Sequence, residues 1–384
     1  MEQEKHLSPR VAWFTDCVLP PSETFVLNQL NALTDVKSAL FGIRAVPGIE
    51  VPGRTFILDR DRSLGSVEKL TWSAFRRAPR FTAAVQDFAP DLLIAHHLPN
   101  AWRIARLAQR CRVPLVAVCH GSDLLEMGSE PFKYRGMQQL AQNWDRLIDV
   151  VRLFLPVSHF LGARLLAAGV PQSRVVPHYL GVPLPDGSRL GSPSESADVL
   201  FVGRLVENKG CHLLLKALGE LGRRRRVTAT IVGDGPERER LENEAAGLTS
   251  GVTVRFLGSR PHHFVRQAMR EHRVVCVPSV EVASGASEGL GLVACEAAAN
   301  ARPVVAFHTG GLPETVAHEE TGLLVPQRDV GALADALEYV LTDSTRAEAM
   351  GRAARRLAET KFNLAQQGRQ LRETLSRHRL LGTA

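Results

Sequence analysis

"VLFVGRLVENKGCHLLLKALGELGRRRRVTATIVGDG", residues 199–235, decides the fold. "VLFVGRL" (199–205) is a short apolar run of the kind that fills a strand buried on both faces. "GCHLLLKALGEL" then takes on helical spacing, and "VTATIVGDG" (227–235) returns to a strand closed by glycines. Strand, helix and strand in this order form a βα unit of a parallel sheet.

The alternation continues on both sides. Upstream it gives "RVAWFTD" (10–16), helical "ETFVLNQLNAL" (23–33), "DLLIAHH" (91–97), helical "NAWRIARLAQRC", "VPLVAVCH" (113–120), "LFLPVS" (153–158) and helical "HFLGARLLAAG". Downstream it gives helical "PERERLENEA" and the strands "VTVRFLG" (252–258), "RVVCVPS" (273–279), "RPVVAF" (302–307) and "TGLLVP" (321–326). It breaks once, at the Pro-, Gly- and Ser-rich "PLPDGSRLGSPSESAD" (183–198), which suits a linker. The expected organisation is a first domain over 1–184, a linker over 185–198, a second domain over 199–362, and a basic amphipathic helix within 363–384 that crosses back to the first domain. The expected fold is α/β, with two doubly wound parallel sheets facing across a cleft. Ligands of such sheets bind beyond the carboxyl ends of the strands.

Composition bounds the function. The chain has 384 residues, 45% of them hydrophobic and 23% charged, which is enough for two domains with their own cores. A net charge of +7 suits a solvated surface, an anionic substrate or an anionic membrane face. No Lys/Arg-rich tract carries interleaved aromatics, which argues against nucleic acid as a partner. The six cysteines (17, 111, 119, 211, 276 and 295) form no CxxC pair and suit a reducing cytoplasm. The N-terminus "MEQEKHLSPR" carries no signal-peptide core, and no apolar run approaches the 18 or so residues of a membrane span. The expected location is the cytoplasm, at most with peripheral contact to a membrane. The stretch "VEKLTWSAFRRAPRFTAAV" (67–85) mixes arginines with aromatics and would suit such contact, or else packs its apolar face on the first domain.

Three strand ends of the second domain carry polar residues. In "FVGRLVENKG", Arg204 and Lys209 stand where two cations could hold a diphosphate, or could simply be exposed near a helix start. In "IVGDGPERERL", Gly233, Gly235 and Pro236 make a tight turn, but the full dinucleotide fingerprint is missing. In "ASEGLGLVACEAAANARPVVA" (286–306), Glu288 precedes a glycine-rich turn whose N–H groups, at Gly289, Leu290 and Gly291, would face an anion or sugar hydroxyls. Glu296 lies on an otherwise apolar helix. A buried carboxylate needs donors, and the 2′,3′-diol of a ribose supplies two. "HTGGLPE" (308–314) adds a further glycine-rich strand end.

In order and spacing, "FVGRLVENKG", "IVGDGPERERL", "FLGSRP", "PSVEVASGASEGLGLVACEAAA", "RPVVAFHTGGLPETV" and "ETGLLV" resemble the retaining family-4 glycosyltransferases of the GT-B architecture. The first domain resembles them more loosely, through "SETF" (22–25), "VCHGSD" (118–123) and "LPVSHFLGARLLAAGVPQSRVVPHYLGV" (155–182). "SETF" and the long loop before Glu288 look most like the exopolysaccharide branch, the colanic-acid and amylovoran transferases.

The resemblance implies roles. Gly203, Arg204 and Lys209 match the turn and the cation pair that bind the donor diphosphate. Glu288 matches the first glutamate of the family's E-x7-E motif, beside the donor sugar, and Glu296 the second, which holds the ribose. Gly289, Leu290 and Gly291 match the turn that reaches phosphate and sugar. Leu257 and Gly258 sit where the family packs its nucleobase. His120 matches a histidine facing the donor sugar and acts with Glu288, Arg204 and Lys209 in catalysis. Asp123, with Ser22, Glu23, Thr24 and Phe25 of the first loop, lies on the acceptor side. The chain departs from the family at "LPPSETF", where many members carry a Gly-Gly pair, at Ala301, where a glycine is common, and at Leu290, where an aromatic is common.

The reaction so implied is sugar transfer from a nucleotide-diphosphate donor to a hydroxyl acceptor with retention, with no cofactor and no metal. The acceptor expected is a glycan, lipid-linked or a small molecule. Asp59 and Asp61 in "LDRDRS" look like a metal-binding Asp-x-Asp, but lie in a charged run that reads as a solvated turn. Neither His96 with His97 nor His262 with His263 has the spacing of a metal site. Three rivals stand beside this reading: a nucleotide-sugar 2-epimerase on the same fold, a transferase acting on an antibiotic-type small molecule, and a nucleotide-sugar binding protein without activity.

Overall fold

The computed structural model describes residues 8–18, 20, 23–46, 51, 53–58, 78–125, 135–186 and 197–382. Ser22, Asp59, Asp61, most of the 67–85 stretch and most of the expected linker lie outside them. The chain divides into two compact units. Unit 1 holds Met1–Gly181 and Leu364–Ala384, and unit 2 holds Val182–Asn363.

Unit 1 is built on strands β1 (Arg10–Val18), β2 (Lys37–Ala45), β3 (Arg54–Ile57), β4 (Leu92–His96), β5 (Leu115–Cys119) and β6 (Val151–Pro156), in the order β3-β2-β1-β4-β5-β6. All its pairings are parallel. β1, β4 and β5 bury almost every residue, which is why they read as unbroken apolar runs. β2 and β3, which the sequence pattern did not single out, extend the sheet beyond β1. The sheet order reverses direction between β1 and β4, so the carboxyl ends of those strands flank its switch point.

Unit 2 repeats the arrangement with β7 (Val199–Val202), β8 (Val227–Val232), β9 (Val252–Phe256), β10 (Val274–Val277), β11 (Val304–Phe307) and β12 (Gly322–Val325), again parallel, in the order β12-β11-β10-β7-β8-β9. Its switch point lies between β7 and β10. One face of the sheet packs on the helices Cys211–Leu221 and Val330–Thr342 through Leu214, Leu218, Leu333 and Leu337, and the other on Val265, Met269, Ala294 and Ala297. Burial of such side chains at about 25 cal/mol per Å² is the main force holding each unit.

The basic tail forms the helix Leu364–Arg377 in unit 1. Gly368 lets it approach the helix Thr24–Ala32: a Cβ there would lie 2.5 Å from the Ala32 carbonyl oxygen. Arg372, almost fully buried, donates to Asp35 at 2.6 Å and to the Gly382 carbonyl at 2.7 Å. Among the described residues no helix is long and apolar enough to cross a membrane.

Candidate active site

In unit 2 the loops after β7 and β10 bring distant residues together. Gly203 and Arg204 follow β7, and a single 3-10 turn, Glu207–Lys209, leads to Gly210 at φ 69°. A Cβ on Gly210 would lie 1.8 Å from the Pro278 carbonyl oxygen, so only glycine lets the two loops touch. The contact sets Lys209 against the loop after β10. Its Nζ donates to Glu288 Oε2 at 2.7 Å, and the buried Ser279 hydroxyl donates to the same oxygen at 2.9 Å. The pair is largely withdrawn from water, with side-chain exposures of 24% for Lys209 and 13% for Glu288.

Burial alone would raise the pKa of Glu288. The Lys209 ammonium, its hydrogen bond, and those from Ser279 and the Gly291 N–H outweigh it and hold the carboxyl below its ordinary value. Glu288 is therefore ionised at neutral pH. Beside it lies a cavity of ≈ 90 Å³ lined by Phe201, Val202, Lys209, Pro278, Glu288 and Leu292, among others. Arg204 is exposed, and among the described residues its side chain meets no hydrogen-bond or ion-pair partner.

The E-G-L-G turn departs from the sequence expectation. The Gly291 N–H, expected to face a ligand, bonds the Glu288 carboxylate. Leu290 is buried, and Gly291, at φ 87°, starts the helix Leu292–Ala299 with Leu312 packed against it. The "HTGG" turn grips the same loop from behind: Gly311 N–H donates to the Glu288 carbonyl at 2.9 Å, and Ser287 meets Thr309 at 3.3 Å.

Glu296 stands eight residues beyond Glu288 on that helix, and it already has a donor. His262 Nε2 lies 2.8 Å from Glu296 Oε1, and His262 Nδ1 faces Arg266 at 3.1 Å. Sequence reasoning set His262 aside because it tested it only as a metal ligand. Oε2 of Glu296 has no partner among the described residues and is the oxygen left for a ligand. Leu257 and Gly258 close β9: the Leu257 N–H donates to the Ile231 carbonyl, and the Gly258 carbonyl accepts from Gly233. The GDG turn serves the backbone. A Cβ on Gly233 would meet the Gly203 carbonyl oxygen at 1.8 Å, and one on Gly235 the Leu205 carbonyl oxygen at 2.4 Å.

Unit 1 gathers a second cluster at its own switch point. His96 ends β4, His97 follows it at φ 69°, and His120 follows β5. His96 Nδ1 and His120 Nε2 lie 3.0 Å apart. Phe25 packs on the His120 ring at 4.6 Å between centroids, and His97 does so at 4.5 Å. Glu23 Oε1 lies 3.8 Å from His97 Nε2, while Glu23 Oε2 is buried without a partner among the described residues. Burial raises the pKa of Glu23 against the opposing charge of His97. Thr24 begins the helix behind this loop.

Asp123, expected to face an acceptor, is buried and its carboxylate is occupied by the backbone. It accepts N–H groups from Leu98 at 2.9 Å, Gly121 at 2.8 Å and His120 at 3.1 Å. It thereby ties the start of the helix Leu98–Cys111 to the turn that carries His120. Among the described residues no group of three or more His, Cys, Asp or Glu is placed to hold a metal.

Comparison with known proteins matches both halves. Residues 187–357 match the family described as glycosyl transferases group 1, and residues 41–181 the glycosyl transferase 4-like domain. The chain is 27% identical to the putative colanic acid biosynthesis glycosyltransferase WcaL of Escherichia coli strain K12, over 89% of this chain and 93% of that protein. It is 26% identical to the amylovoran biosynthesis glycosyltransferase AmsK of Erwinia amylovora, over 96% and 99%. Among solved structures, Anabaena Alr3699/HepE in complex with UDP and glucose is similar at a TM-score of 0.75, with 22% identity over 96% of this chain and 100% of that one.

Proposed function

The chain belongs to the glycosyltransferases that join a 4-like half to a group 1 half on the GT-B fold, and from that premise we propose that it moves a sugar from a nucleotide-diphosphate donor to a hydroxyl of a glycan acceptor, with retention and without a metal. The observation that carries this reading is the Lys209–Glu288 pair at the β7/β10 switch point, on the same loop as the unpaired Arg204. An ammonium has three donors and Glu288 takes one, so Lys209 keeps others for phosphate oxygens. Arg204 adds a planar fork. Together they would offset the negative charge that grows on the diphosphate as the bond to the sugar breaks. The ionised Glu288 would sit beside the sugar as positive charge develops on its ring, and Glu296 Oε2 would accept a ribose hydroxyl. No nucleophile is assigned in unit 1. Attack takes place on the face the leaving group departs from, and the leaving phosphate accepts the acceptor's proton.

The names of the two relatives support a place in exopolysaccharide synthesis. The proposed acceptor is lipid-linked, with peripheral contact of the chain with the cytoplasmic face of a membrane. The epimerase and non-catalytic readings are set aside, because both family matches and both relatives are transferases.

Calorimetric titration with UDP, GDP and dTDP, with and without EDTA, tests the donor site. UDP comes first because HepE binds it. Micromolar affinity for one nucleotide, indifferent to EDTA and lost in Glu296→Ala, is expected. Binding that survives Glu296→Ala, or that needs a divalent metal, overturns the site as drawn.

A further inference from the structure

β4 and β5 are neighbours, with His96 opposite Val118, and this brings the His96 ring against that of His120. One of the two facing nitrogens, His96 Nδ1 or His120 Nε2, must carry the proton of their 3.0 Å bond, and the other must be bare. His96 is fully buried beside Trp13 and Phe25, at 5.7 and 6.2 Å between ring centroids, and its Nε2 has no hydrogen-bond partner among the described residues. Burial, reinforced by His97, pushes its pKa down to about 3, so the ring is neutral and holds a single proton. Placed on Nε2, that proton would make a buried N–H with no acceptor. Placed on Nδ1, it is used in the bond and leaves only a bare acceptor in the apolar pocket. Unpaired buried donors are rarer than under-satisfied acceptors.

We propose that His96 is a positioning residue that donates Nδ1–H to His120 Nε2 and so locks His120 in the Nδ1–H tautomer. His120 is half-buried, and with Nε2 taken up by His96 its Nδ1 is the ring nitrogen without a hydrogen-bond partner among the described residues. It offers a hydrogen-bond donor to a sugar hydroxyl oxygen; in the opposite tautomer it would offer only an acceptor. Its ring is packed by Phe25 and His97, and its backbone is tied to Asp123, so the two nitrogens do not readily exchange places. The inference deepens the reading in which His120 faces the donor sugar, but its primary test does not depend on that reading.

The test is a long-range proton–nitrogen correlation spectrum of the full chain labelled with 15N-histidine, at neutral pH. Histidine in water prefers the Nε2–H form, so an Nδ1–H pattern at His120 is diagnostic. It is expected in the native chain and in His96→Asn, whose amide N–H can replace Nδ1–H. It is expected to be lost in His96→Leu, where His120 reverts to Nε2–H. Nε2–H at His120 in the native chain, or an unchanged pattern in His96→Leu, overturns the proposal. Should the leucine variant not fold, the native spectrum decides. Once the donor is known, His96→Leu should lower kcat about tenfold or more at similar donor affinity, with recovery in His96→Asn. A switched tautomer with unchanged kcat would remove His120 from the sugar and leave the coupling standing.

Discussion

Lys209→Met isolates what the central ion pair contributes. At 2.7 Å and an effective dielectric of about 20, the gross attraction is about 6 kcal/mol, most of which is offset by desolvation. Removing one partner of a fully buried pair costs about 3–5 kcal/mol, because the remaining charge is stranded. Here Glu288 would keep the Ser279 hydroxyl and the Gly291 N–H, and Lys209 is 24% exposed. The expected loss is therefore smaller, about 2–3 kcal/mol, or a fall of roughly 4–12 °C in the Tm of a unit this size. Adding Glu288→Gln removes the stranded charge and should restore at least half of that loss. Differential scanning calorimetry on the full chain measures both. The four tryptophans (13, 72, 102 and 144) all belong to unit 1, so their fluorescence separates a shift of unit 2 from one of the whole chain. If the single variant melts with the native chain, or the double variant is no better than the sum of its parts, the pair is not the coupled structural element described.

Glu288→Gln alone should lower kcat by about a hundredfold or more while nucleotide affinity, measured by calorimetry, changes little, since the interaction lost belongs to the transition state. Gly310→Ala should destabilise unit 2 by about 2–4 kcal/mol in urea unfolding: it combines φ 56° with a Cβ 2.1 Å from the Glu288 carbonyl oxygen. Ala301→Gly should do the reverse, raising stability by about 0.5–1 kcal/mol, because Ala301 sits at φ 55°. Acid should weaken unit 1 well before the carboxylates titrate. Burial lowers His96 to about 3 and His178 to about 4, both from 6.5, so the unfolded chain takes up protons first. Their stabilisation is complete above pH 6.5 and is lost as pH falls toward the folded values, at about 1.4 kcal/mol per pH unit for each. Burial also pushes His120 well below its ordinary value, so three histidines share the effect. Tryptophan-monitored urea unfolding between pH 7 and 5 should show this slope, and His96→Asn should reduce it by about a third.

The sheets were legible because their central strands are buried on both faces: β7, β10 and β11 and the central strands of unit 1 announce themselves as apolar runs, while β9 shows instead the alternation of a half-exposed strand. β2 and β3 were missed for two different reasons. "RTFI" is a half-buried edge strand that does not stand out from the sequence around it, whereas "KSALFGIRA" buries its five central residues and is short enough to be passed over between exposed ends. Arg204, Lys209, Glu288 and Glu296 were legible as residues at strand ends, but not their partners. Ser279 and His262 lie nine and 34 positions from the carboxylates they meet, and no local periodicity marks such contacts. The backbone role of Asp123 was not legible, because sequence does not show that the start of a helix 25 residues earlier in the chain needs its carboxylate.

The glycines carry the sharper lesson. Read from sequence, GLG looks like an opening for a ligand, GDG like a tight turn without the dinucleotide fingerprint, and HTGG like one more glycine-rich strand end. In the structure most of them answer another strand end instead. Gly233 and Gly235 face the carbonyls of Gly203 and Leu205, Gly310 and Gly311 face those of Glu288 and Gly289, and Gly210 faces that of Pro278. A Cβ at Gly210 would drive the β7 and β10 loops apart, one at Gly233 or Gly235 would push the β8 loop off the β7 loop, and one at Gly310 or Gly311 would push the β11 loop off the loop that carries Glu288. Their effect on the chemistry is therefore indirect. They hold the loops that carry the two charged groups, and a substitution among them should damage turnover only through stability and placement, whereas loss of Glu288 damages turnover directly and stability only through its broken pair with Lys209.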